Sequence, residues 1–285
     1  MTDFPRTTVG GISLPRLICG SNWLLGFSHT SAAKDRFIRE LFDTPAKAAK
    51  VIEVFARNGC NAFMSGESDF VRQALDEVEQ RTGQEMLWVV TPHWHAHNGD
   101  WNAPGTLDDW KRTCETVKAL RGQFCFPHQC TTDPRLDRKE RRLMPELAEL
   151  LRTAREFGLV PGLSTHTPES VVCADNHGEE LVEAYIQPYN AAGFLCQVET
   201  DWIGRIIRDA KKPVMTIKPL AAGRLLPPTG LAFVWSTIRD CDMVTVGTMS
   251  TYEAEEVIEI SRAQLERRSA EVELQKTRSK ASLRA

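Results

Sequence analysis

The chain has 285 residues, 42% hydrophobic and 26% charged, with a formal net charge of -3 at neutral pH. That balance fits an ordinary globular protein and excludes a polybasic nucleic-acid binder, and no run of about 18 apolar residues suits a membrane span. No apolar run follows a basic start at the N-terminus, so a cytoplasmic protein with no nucleic-acid or membrane partner is expected. The 8 cysteines stand singly, without metal-ribbon or redox spacing, and read as free thiols.

The informative pattern is short apolar runs alternating with amphipathic segments, because strands alternating with helices build βαβ units and a parallel sheet. In chain order, residues 7–15 read as a hairpin turning at Gly10 and Gly11, placed to plug a barrel floor. A strand at 17–20 is followed by a long insertion, 23–43, with a short helix at 33–41. Helix 45–58, strand 62–65, helix 69–82, strand 87–91, helix 107–120 and strand 124–127 come next. Helix 139–157, strand 160–164, helix 168–176 and strand 184–188 continue the alternation. Helix 201–210, strand 214–218, helix 230–240, strand 243–247 and a helix from 252 complete it. Eight strand-helix pairs with no excess strand fit one closed (β/α)8 TIM barrel over residues 1–270 better than an open doubly wound sheet. Residues 271–285 read as a charged C-terminal tail.

Several segments, in order, resemble the aldo-keto reductase family: GISLPRLICG at 11–20, VPGLSTH at 160–166, QPYN at 187–190, IKPLAAGR at 217–224 and MVTVGTMS at 243–250. The resemblance implies that family's barrel with its N-terminal hairpin. It also implies a catalytic aspartate ending the second strand, a tyrosine after it, a lysine ending the third and a histidine ending the fourth. Here Met64 or Ser65 stands where the aspartate belongs, no tyrosine follows, and Pro92 or His93 replaces the lysine. Only the histidine, His128, is kept. Aldehyde or ketone reduction is therefore not expected in its usual form. Gly247, Thr248 and Ser250 could hold a cofactor phosphate at a helix N-terminus, but Glu253, Glu255 and Glu256 follow, which makes NADP the less favoured cofactor.

Histidines gather instead in loops on the carboxyl side: His29, His93, His95, His97, His128 and His166. His93 and His95, two apart in an extended strand end, share a face. With His128 and His166 they are candidate ligands for a divalent metal ion, zinc, manganese or iron. Hydrogen-bonding histidines without an ion are the alternative. Glu67, His128 and Lys218 are the candidate catalytic groups. Lys218 reads first as a cation orienting an oxyanion, with imine chemistry the minor reading. Asn22, Trp23, Trp94, Gln129 and Asn190, with Trp101 and Ser21 nearby, suit a polyhydroxylated, sugar-derived substrate. The expected function is metal-assisted acid–base chemistry of lyase, hydratase, epimerase or hydrolase type on a polar small molecule. The alternatives are an NADP(H)-dependent oxidoreductase with an atypical proton donor and a non-catalytic ligand-binding protein. A homo-oligomer is compatible with the sequence.

Overall fold

The computed structural model describes residues 4–96, 103, 105–178 and 181–273. Strands β1 (Arg6–Val9) and β2 (Ile12–Pro15) pair antiparallel, with Gly10 and Gly11 at positive φ in the turn. The barrel strands begin with β3 (Leu17–Gly20), β4 (Ala62–Ser65), β5 (Leu87–Val90) and β6 (Phe124–Cys125). A small antiparallel hairpin, β7 (Leu136–Asp137) and β8 (Arg142–Leu143), precedes β9 (Val160–Pro161) and β10 (Leu163–Ser164). Strands β11 (Tyr185–Pro188), β12 (Val214–Ile217) and β13 (Met243–Val246) follow.

The sheet order β10-β11-β12-β13-β3-β4-β5-β6-β9 is parallel throughout. Its two end strands are the halves of one segment interrupted at Gly162, so the sheet closes into an eight-stranded barrel. The helices are α1 (Asn22–Leu25), α2 (Ala32–Leu41), α3 (Pro45–Arg57), α4 (Asp69–Thr82), α5 (Leu107–Ala119) and α6 (Gln129–Thr132). They continue with α7 (Pro145–Glu156), α8 (Glu169–His177), α9 (Thr200–Asp209), α10 (Pro227–Thr237) and α11 (Thr251–Glu266).

The two-residue period of the strands divides the core. Ile18, Met64, Val89, Phe124, Ile186, Met215 and Met243 point inward, with Val9 and Leu14 of the hairpin closing the floor. Leu17, Phe63, Trp88, Val90, Tyr185, Val214 and Val244 point outward against the helices. Both faces are buried, which is why each strand reads as a continuous apolar run. Asp242, just before β13, accepts hydrogen bonds from the backbone N–H of Val214 and Arg239, both at 2.8 Å. Its own carbonyl takes Arg16 Nε at 2.9 Å, which ties the floor together.

The interruption at Gly162 has a steric cause. A Cβ there would lie 2.4 Å from Phe126 Cζ and 2.6 Å from the Ala184 carbonyl oxygen. Gly162→Ala is expected to destabilise the barrel by about 1–3 kcal/mol through overpacking, read as a lower urea midpoint at unchanged slope.

Two expected boundaries move. Residues 139–144 do not begin a helix. Asp137 Oδ1 accepts from the N–H groups of Lys139 and Glu140 at 3.1 and 3.0 Å, Arg141 turns at φ 52°, and α7 starts only at Pro145. Helix α10 likewise starts earlier than its apolar pattern, at Pro227, where a proline needs no hydrogen-bond partner. Helix α11 ends at Glu266, and residues 274–285 of the expected tail lie outside the described residues. Among the described residues no helix is long and apolar enough to cross a membrane.

Candidate functional site

The carboxyl ends of the strands open into a cavity of about 1110 Å3. The 23–43 insertion covers one side of it, contributing Trp23, Phe27, His29 and Lys34 to the wall. That loop is locally fixed: Ser31 Oγ caps α2 by accepting from Lys34 N–H, and Asp35 Oδ1 takes Ser28 N–H and Oγ–H at 2.8 and 2.5 Å. Burial of Leu24, Ile38 and Phe42, together with these hydrogen bonds, holds His29 over the barrel mouth.

His29 there meets Lys218, which follows β12. Lys218 Nζ lies 3.2 Å from His29 Nε2, and Asn22 Nδ2 lies 3.1 Å from the same nitrogen. Both neighbours are donors, so Nε2 is the acceptor and the ring is neutral. Burial lowers the Lys218 pKa to about 8. It also lowers His29, with the Lys218 charge adding to the effect. Lys218 and His29 are both left-handed, at φ 62° and 55°, although neither is glycine and Lys218 precedes a proline. Such a conformation costs on the order of 1–3 kcal/mol per residue and persists only where the surroundings impose it.

On the opposite wall, His93 and His128 stack at 4.1 Å between ring centroids with 19° between planes. Cys130 Sγ sits 3.1 Å from the Nδ1 atom of each. Cys130 is exposed and is the residue that sequence reasoning missed. The signal was its spacing, two residues beyond His128. The three ligand atoms lie within 4.8 Å of one another, as in a His2Cys metal site. A ring nitrogen binds a metal in the ring plane, however, at about 2 Å. Stacked planes inclined by only 19° do not meet near that distance. In this arrangement the trio fits a hydrogen-bonded chain and does not fit a shared ion. His128 Nδ1 also accepts from Cys130 N–H at 3.4 Å, which leaves the proton of the neutral ring on Nε2. Burial lowers the His128 pKa to about 3, with His93, His166 and Lys218 contributing.

His166, after β10, is held by its backbone: Asp133 accepts its N–H at 3.1 Å and Gln187 donates to its carbonyl. Burial, then Lys218, lower its pKa to about 4. Glu67, after β4, lines the same cavity, and burial raises its carboxyl above the usual range against a smaller opposing effect from a backbone N–H. Burial thus shifts each of these groups toward its neutral form, the imidazoles and Lys218 downward and Glu67 upward.

Of the expected metal ligands, His93, His128 and His166 line the cavity and His95 does not. Gln129, Asn22 and Trp23 line it as expected for substrate contacts. Trp94 does not, because its Nε1 donates to Thr106 O at 2.8 Å and Arg135 covers its ring at 4.5 Å. Asn190 is fully buried and closes its own loop through both amide atoms, bonding Phe194 N–H and O at 2.8 and 3.0 Å. His97 and Trp101 lie outside the described residues. None of the tyrosines lines the cavity, and Ser65, at the end of β4, is engaged with Trp88 Nε1 at 2.9 Å.

At the far end, Gly247 and Thr248 line the cavity, whereas Ser250 acts as the N-cap of α11, accepting from Glu253 N–H at 3.1 Å. The Glu253 carboxylate accepts from Met249 N–H at 2.7 Å, and Glu256 stands beside it. The chain's own hydroxyl and carboxylate thus meet N–H groups at this helix end, and the Glu253 charge there opposes a phosphate. Thr245 and Thr248 are different. Their buried hydroxyls line the cavity and find no hydrogen-bond partner among the described residues, which suits a polar ligand.

No family model matches the sequence, and no curated protein matches it. Solved structures do. A Pseudomonas aeruginosa protein assigned to the aldo-keto reductases superposes with a TM-score of 0.64 at 16% identity, over 92% of this chain and 97% of that one. An aldo-keto reductase of Bombyx mori, in complex with NADP, gives 0.60 at 12%, over 91% and 88%. The holo form of one from Bacillus halodurans gives 0.59 at 11%, over 93% and 96%. With its N-terminal hairpin, closed eight-stranded barrel and cavity at the carboxyl ends, the chain has the aldo-keto reductase fold.

Proposed function

We propose that this cavity belongs to an enzyme that moves protons on a small polar carbonyl or hydroxy compound, in a reaction of lyase, hydratase, epimerase or hydrolase type. The observation that carries this reading is the convergence of Glu67, His166 and Lys218 on one cavity, each shifted by burial toward its neutral form. A neutral imidazole accepts a proton, and a carboxyl whose burial favours its protonated form donates one, so opposite shifts suit the two roles. Glu67 serves as the acid toward a substrate oxygen, and His166 as the base toward carbon or oxygen. Trp23, Asn22, Gln129 and the two free threonine hydroxyls suit a polyhydroxylated substrate. Metal assistance is set aside on the stacking of His93 and His128.

The test is deuterium exchange. Glycolaldehyde and dihydroxyacetone are incubated with the protein in D2O without added metal or nucleotide, and C–H loss is followed by proton NMR. Enzyme-dependent exchange is expected, and its absence with both compounds and with the corresponding sugars counts against the reading.

A second reading, NADP(H)-dependent oxidation or reduction, is the one the structural neighbours favour, since two of them were solved with NADP or NADPH bound. Against it stand the Glu253 cap and the lack of a tyrosine in the cavity. Saturable NADPH binding at micromolar concentration, with oxidation on adding glycolaldehyde, would install it in place of the first.

A further inference from the structure

We propose that Lys218 is a covalent nucleophile, whose Nζ condenses with the carbonyl carbon of a small aldehyde or ketone to form an imine. This rests on the reading of the cavity as a carbonyl site and gives that reading its electron sink.

Position comes first. Lys218 follows β12 at the carboxyl end of the barrel and lines the cavity together with Glu67, His128 and His166. Its polar partner is His29 Nε2 at 3.2 Å, a nitrogen it shares with Asn22. Among the described residues no carboxylate forms an ion pair with it, and the charged groups near this pair, Asp35 and Arg224, act on His29. Burial without a counter-ion favours the neutral amine, which is the form that acts as a nucleophile. The backbone agrees: two left-handed non-glycine residues, one in the insertion and one just after β12, are held in this contact. With a pKa of about 8, roughly a tenth of the amine is free at pH 7, against well under a thousandth for an ordinary lysine.

The step balances without a redox partner. The free amine's lone pair attacks the carbonyl carbon, forming C–N as the C=O π bond breaks. An imidazole carries one proton from nitrogen to oxygen, giving a carbinolamine. The C–O bond then breaks as Glu67 protonates the departing hydroxyl, water leaves, and C=N remains. The electron-poor iminium carbon acidifies the adjacent C–H, whose proton passes to a neutral imidazole to leave an enamine; after exchange with solvent the imidazole returns a proton to carbon, and water adds to the iminium, giving back carbonyl and free amine as Glu67 recovers its proton.

The experiment is reductive trapping. The full chain is incubated at pH 7 with dihydroxyacetone or pyruvate plus cyanoborohydride, and adducts are located by peptide mass spectrometry. We expect one adduct per chain on Lys218, formed at least tenfold faster than on other lysines. Lys218→Met and Lys218→Arg, checked for folding by circular dichroism, should lose it, the arginine variant showing that charge alone does not suffice. Labelling spread evenly over surface lysines, or no Lys218 adduct with either probe, overturns the proposal. Deuterium exchange without trapping removes the imine and leaves the proton-transfer reading standing. Trapping without exchange upholds the nucleophile and removes that reading instead.

Discussion

Glu67→Gln is expected to slow deuterium incorporation into dihydroxyacetone about 10²- to 10⁴-fold, with KM little changed, because a general acid is worth that much and glutamine keeps the volume while losing the proton. The pH profile carries the more specific signature. Burial raises the Glu67 carboxyl, so its acid form is present below that raised value and lost as pH rises through it. The free amine of Lys218 works in the other sense, growing as pH rises toward about 8. Wild-type activity should therefore pass through a maximum between the two. The variant should keep the rise and lose the alkaline fall. A Glu67→Gln rate within threefold of wild type, or an unchanged profile, would show that Glu67 is not the acid.

The barrel was legible in the sequence because strands buried on both faces cannot hide: 17–20 and 62–65 in the observed sheet are the apolar runs themselves. What misled was local. The run from Lys139 to Arg142 has the composition of a helix, but the Asp137 carboxylate captures its first N–H groups and turns it into a hairpin. The break at Gly162 depends on the distant ring of Phe126. In the site, His128, His166, Glu67 and Lys218 were legible because residues at barrel strand ends converge whatever lies between them. The contact of His29 with Lys218 was not, since it joins positions 189 apart through an insertion whose path no periodicity fixes. The metal expectation shows the same limit from another side. Spacing paired His93 with His95 and strand-end convergence added His128, but the ring orientation, with His93 and His128 stacked 19° apart in plane, is a property no spacing carries.

Lys218→Met is expected to stabilise the protein at pH 7 by about 3 kcal/mol while removing its activity. The folded-state pKa of about 8 lies below the ordinary 10.5, so below pH 8 both states carry the charge and the folded state bears the full cost of burying it. Between pH 8 and 10.5 the unfolded chain binds more protons, and wild-type stability rises with pH; above that window the cost is gone. The separation of 10.5 from about 8, at about 1.4 kcal/mol per pH unit, gives the figure. Urea unfolding at pH 7 and pH 10 should show the variant's advantage shrinking as wild type catches up, and Lys218→Arg, which keeps its charge, should show no gain. If the methionine variant is no more stable at pH 7, the ammonium is already compensated in the folded protein and the ground for a reactive amine falls with it. A gain coupled to inactivity is what a site built for reactivity produces, because the burial that frees the amine is itself unfavourable and is held in place by the rest of the barrel.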